Sequence, residues 1–127
     1  MLDFNELNFI AIIGGTLLYM IYGTIYYSIL LGKKKARDDQ SEGPVKYIVS
    51  IIAAFISSLF VAILVQATAS EGFFEGAGVG IIIGMLISIV YLKNSLFGLM
   101  SRNSFLIAIG DHLIIFTLLG ALHGLFV

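Results

Sequence analysis

The chain has no cysteine, which excludes a disulfide framework and any thiolate site. It has a single proline, Pro44, and its charged residues amount to 12% of 127 positions, about half the share of an ordinary soluble domain. Lysine and arginine are missing from four long stretches, residues 8–31, 47–69, 73–92 and 104–127. What fills those stretches is apolar: 59% of the chain is hydrophobic, a balance that no soluble core explains. Crossing the hydrocarbon core of a bilayer takes roughly 20 such residues at ~1.5 Å each. Each stretch meets that length, so the sequence predicts an all-α bundle of four transmembrane helices.

The four stretches leave only short connections, residues 32–46 and 93–103 among them, so residues 1–127 read as one integral membrane domain. A separate soluble catalytic domain does not fit in them. The basic residues divide unevenly. Lys33, Lys34, Lys35, Arg37 and Lys46 lie between the first two stretches, and Lys93 and Arg102 between the last two. Basic residues in short loops mark the cytoplasmic side. Both termini are therefore expected outside, together with Asp3, Glu6, Glu71 and Glu75, in the cell membrane of a prokaryote. The first stretch reads as a retained span rather than a cleaved signal peptide. Its flank carries Asp3 and Glu6, its apolar run is too long, and no small-x-small cleavage site follows. The loop Lys33 to Pro44 reads as a solvated connector whose basic cluster can touch anionic headgroups, with Pro44 marking where the second helix begins.

In lipid, helices associate by close approach at small residues. Gly72, Gly76, Gly80, Gly84 and Ser88 recur at every fourth position of the third span. Ala54, Ser58, Ala62, Gln66 and Ser70 do the same in the second, with Gly120 and Gly124 in the fourth and Ala11 and Gly15 in the first. These rows serve either packing within one chain or association between chains, and a homo-oligomer or a membrane partner protein is expected beside the lipid bilayer. Nothing points to nucleic acid, metal or a cofactor.

Tyr19 and Tyr22 share a helix face with Gly15 and Tyr26, and their depth favours the bundle interior, where a hydroxyl finds a partner. Tyr26, Tyr27, Tyr47 and Tyr91 lie at span ends, where phenol rings suit the headgroup level. The fourth span carries Asp111 and His112, about two turns in, and His123 near its far end. An ionisable group within the membrane is costly unless paired or wetted, which makes these three the leading site candidates. Asp111 and His112 are adjacent, point ~100° apart and cannot simply face each other. His112 and His123 fall on nearly one face, but roughly 16 Å apart along the axis they cannot share a metal ion. Gln66 and Glu75 are candidate neighbours of His123. A tyrosine of the first span or a serine of the second is a candidate neighbour of Asp111.

The tract Tyr26-Tyr27-Ser28-Ile29-Leu30-Leu31-Gly32-Lys33 resembles the aromatic-Tyr-Ser-x-x-Phe-Gly-Lys signature of the domain of unknown function 1761, a family of small four-span prokaryotic membrane proteins. The glycine-rich third span, Asn94-Ser95-Leu96-Phe97, Ile109-Gly110-Asp111-His112 and Leu119-Gly120-Ala121 follow that family's order and spacing over essentially the whole chain. Tyr26 stands where tryptophan is usual, and Glu75-Gly76 and Val79-Gly80 stand where relatives often place His-Gly steps. The family resemblance implies a four-span fold and no particular reaction. A structural or accessory membrane protein that packs helices or binds lipid or a partner is the first expectation. A small homo-oligomeric transporter or channel using the polar groups of the fourth span is the alternative. No spacing sets a serine beside a histidine as nucleophile and base, so no enzyme is expected.

Overall fold

The computed structural model describes residues 4–30 and 44–126. A 3-10 turn, Phe4–Glu6, leads into four helices: α1 Phe9–Leu30, α2 Val45–Ala67, α3 Phe73–Leu96 and α4 Arg102–Leu125. They contain 22, 23, 24 and 24 residues. At ~1.5 Å per residue each matches or exceeds the ~30 Å hydrocarbon core. All four are long and apolar enough to cross a membrane, and the described residues contain no strand. The chain is thus an all-helical, four-span membrane bundle. The connector from Lys33 through Arg37 lies outside the described residues, as do the loop's remaining charges up to Gly43.

The helix ends follow from local chemistry. Asn8 caps α1 by accepting from the Ala11 amide at 3.1 Å, and Ser101 caps α4 by accepting from the Ser104 amide at 3.2 Å. Helix α2 starts directly after Pro44. It closes in a Schellman turn, with Ser70 N–H donating to Val65 O (3.1 Å) and Ala69 N–H to Gln66 O (3.0 Å). Helix α3 runs through Lys93 to Leu96 and closes the same way, with Leu99 N–H on Asn94 O (2.8 Å) and Gly98 N–H on Ser95 O (3.1 Å). The left-handed position of the second turn is Gly98, at φ +76°; in the first it is Ala69, at φ +53°.

Helices α2 and α4 each pack on all three others, while α1 and α3 make no close backbone approach. Helix α4 makes the most extensive contacts of the bundle. Its most extensive neighbour is α3, its antiparallel hairpin partner. Val61 and Val65 of α2 meet Ile115, Phe116 and Leu119 of α4 in the main core, flanked by Tyr19 and Tyr22 of α1 and Val79, Ile83 and Ile87 of α3. A second cluster joins Leu7 and Ile12 to Ala62. Large apolar side chains cover the outside, including Ile13, Leu17 and Ile21 on α1 and Ile82, Leu86 and Ile89 on α3. In water such a surface would aggregate, whereas in lipid it is the expected solvent-facing wall.

Candidate functional site

The glycines of α3 determine where the polar groups of α4 sit. A Cβ at Gly76 would fall on the carbonyl oxygen of Gly120, one at Gly80 on the carbonyl oxygen of Phe116, and one at Gly84 would stand 2.9 Å from Leu113 Cδ2. From the other side, a Cβ at Gly124 would strike the Gly72 carbonyl, and Gly72 N–H donates to Gly124 O at 2.9 Å. Gly72, at φ +88°, takes a backbone conformation that L side chains rarely adopt. The row that spaces small residues four apart is thus filled by α4 of the same chain, backbone against backbone. The row of α2 is also internal: Ala54, Ser58 and Ala62 are buried. Ser88 continues the α3 line and returns its hydroxyl to Gly84 O at 2.7 Å.

With α4 held in this way, Asp111 points into the bundle and is only 6% exposed. Its carboxyl lies within electrostatic range of four tyrosine hydroxyls: Tyr19, Tyr22 and Tyr26 of α1 and Tyr91 of α3. Tyr26 donates to the Ile107 carbonyl at 2.8 Å and crosses Gly110 on the way, where a Cβ would strike its hydroxyl. Tyr22 stacks on Tyr26 with ring centroids 5.5 Å apart, yet the buried Tyr22 hydroxyl has no hydrogen-bond partner among the described residues. Tyr19 meets Ser57 of α2 and packs edge-on against Phe116. His112 lies between Tyr91 (5.2 Å) and Phe116 (6.1 Å). A carbonyl can only accept, so the 2.7 Å contact between His112 Nδ1 and Ala108 O places a proton on Nδ1. At 3.8 Å from Asp111 Oδ2 that nitrogen is beyond hydrogen-bond range. The neighbours are therefore not an acid–base pair, and each engages different groups.

The second polar group is at the opposite end of α4. His123 is 4% exposed, and its Nε2 lies 3.0 Å from the hydroxyl of Ser58, which is fully buried. That hydroxyl donates its single proton to Ile12 O at 2.8 Å, so it accepts from His123 Nε2–H and leaves Nδ1 with the lone pair. This polarity is opposite to that of a serine nucleophile, which gives its proton to the histidine. Gly15 makes the pair possible, because a Cβ there would strike Ser58 Oγ and stand 3.2 Å from His123 Nε2. His123 borders a cavity of about 220 Å³ between the start of α1 and the ends of α2 and α4, with Gln66, Glu6 and Glu71 also on its lining.

The sequence-stated candidates thus fall into two places. Asp111, His112, Tyr19 and Tyr22 form one cluster; His123 and Gln66 share the cavity. The two histidines, though close in helical phase, face different neighbours, His112 toward α3 and His123 toward α1 and α2. Glu75 is not on the cavity lining and accepts instead from the Glu71 amide at 3.2 Å. Tyr26 and Tyr91, placed in the headgroup belt by their position at span ends, turn inward to α4. Tyr47 is 63% exposed. The Ser58–His123 pair escaped sequence reading because its residues are far apart in the chain, although Ser58 lies in a small-residue row and His123 was a candidate on its own.

The tracts that carried the family resemblance meet in space, since Tyr26 of the first reaches across Gly110 of the second. No curated protein and no solved structure matches the chain. A model of the family described as "Protein of unknown function (DUF1761)" matches residues 10–124, nearly the whole length. The chain belongs to the DUF1761 family.

Proposed function

We propose that this membrane protein is a small transporter in which Asp111 takes up and releases a proton inside the bundle. The observation that carries this reading is a carboxyl group, 6% exposed, within electrostatic range of the hydroxyls of Tyr19, Tyr22, Tyr26 and Tyr91 and on a helix long and apolar enough to span a membrane. Ionisable groups at such positions typically mark ion or proton paths, because a purely structural role is served at lower cost by neutral side chains. The unpartnered Tyr22 hydroxyl supplies a hydrogen-bonding group that an arriving solute or water can engage. The protein is read as non-catalytic, resident in the cell membrane with both termini outside and the basic loops in the cytoplasm. Asp111 faces α1 of its own chain. The path therefore runs within each protomer, and the homo-oligomer expected from sequence would use the exposed faces of the bundle.

The test is proton flux into proteoliposomes under a membrane potential, read by a pH-sensitive dye in the lumen. Asp111→Asn is expected to remove the flux and His112→Ala to reduce it, with the particle mass of both variants unchanged. Equal flux in wild type and Asp111→Asn would overturn the reading.

A second reading, a structural or accessory protein that docks a partner or lipid, is favoured by one observation. The wall of α1 presents Ile10, Ile13, Leu17, Ile21 and Ile25 outward, an apolar row running along most of the helix. The glycine row of α3 no longer speaks for this reading, since α4 occupies it.

A further inference from the structure

We infer that the cavity beside His123 is a binding site for a small protonated amine carrying an apolar body. The proposal does not depend on the proton path at Asp111.

The chemistry of the lining selects the ligand. Ser58 fixes the proton of His123 on Nε2, so Nδ1 is an acceptor on a side chain 96% buried, with no partner among the described residues. Glu6 and Glu71 add two carboxylates to the lining, and none of the described lining residues is Lys or Arg. A lining of acceptors and negative charge calls for a ligand that brings donors and positive charge. Asn8 and Gln66 add two uncharged amides, and the rest of the wall is apolar, with Leu7, Ala11, Val65 and Phe126. An ammonium with N–H donors therefore fits, its charge toward the carboxylates, its N–H on Nδ1 and its carbon body against that wall. A metal ion fits less well, since the described residues bring no three His, Asp or Glu close enough to coordinate one. Size agrees: an apolar cavity of ~150 Å³ holds benzene, and this one, at about 220 Å³, leaves room for a ring plus an aminomethyl group.

The probe is benzylammonium, added to the full chain in lipid nanodiscs against empty nanodiscs as reference. The chain contains two histidines, so nitrogen-15 labelling of histidine gives a sparse spectrum in which His123→Phe assigns the relevant resonances. Benzylammonium is expected to shift the His123 Nδ1 resonance saturably and to leave His112 unmoved. The rim variant Glu6→Gln/Glu71→Gln, altered only at exposed positions, is expected to bind about tenfold more weakly, the order expected from removing two charges a few ångströms from an ammonium. Benzyltrimethylammonium, which has no N–H, is expected to leave the Nδ1 resonance in place. Asp111→Asn is expected to bind benzylammonium as wild type does, so failure here and failure of the transport reading are separable. Absence of a saturable Nδ1 shift would overturn the inference. So would unchanged affinity in the rim variant, or an equal shift with the quaternary ion.

Discussion

At the scale of single residues, two positions have consequences that the amino-acid type alone does not suggest. Ala69 holds the left-handed position of the turn that ends α2, at φ +53°, where the matching turn after α3 has Gly98. A non-glycine residue there carries a strain of about 1–2 kcal/mol, of which the greater unfolded-state freedom of glycine offsets part. Ala69→Gly is therefore expected to raise the thermal midpoint of the solubilised protein slightly, by an amount corresponding to about 0.5–1 kcal/mol; a lowered midpoint would contradict the strain. Ser58 has the opposite role. It accepts from His123 and donates to Ile12 O, both within the buried interior. Ser58→Ala leaves a histidine N–H without an acceptor, and the expected loss is about 1–3 kcal/mol. Thermal melting in detergent measures it, and a midpoint equal to wild type would show that the hydrogen bond contributes nothing net.

The decisive element is the α3–α4 hairpin. Its contact is backbone on backbone, which only glycine permits at Gly76, Gly80, Gly120 and Gly124, so one added methyl must push the helices apart. Gly76→Ala is expected to destabilise the bundle by about 1–3 kcal/mol, the usual range for overpacking. Gly78→Ala adds the same methyl to the same helix where nothing lies within 4 Å and is expected to cost nothing. Comparing the two melting midpoints separates the seam from helix propensity, and equal midpoints would mean that the seam is not tight. The four-residue spacing of this row was legible in the sequence, because small residues on one face point to close approach. Its partner was not, since a spacing identifies a face without saying which helix fills it. The tyrosines show the same limit. Position near a span end suits Tyr26 and Tyr91 to the headgroup level, but Gly110 opens a route to the Ile107 carbonyl that draws Tyr26 inward, and the ring of His112 takes Tyr91.

For the molecule as a whole, helix number and the helical class follow from the sequence because the bilayer imposes a length and an apolar composition on any span. The candidate site was legible as a set of costly residues, Asp111, His112 and His123, and not as an arrangement. Helical phase put both histidines on nearly one face, yet only tertiary packing sends His112 to Tyr91 of α3 and His123 to Ser58 of α2. The place of α4 has the same origin: like α2 it packs on all three other helices, and its seam with α3 is the most extensive in the bundle. That position turns Asp111 toward the tyrosines of its own chain rather than toward a neighbouring copy. A working path would then be complete within one protomer, whatever oligomer the exposed faces form. Co-reconstitution of wild-type and Asp111→Asn chains in graded ratios tests this claim most directly. If each protomer holds its own path, proton flux falls in proportion to the fraction of Asp111→Asn chains; a fall as a higher power of the wild-type fraction would mean that several chains build the path together, contrary to this account.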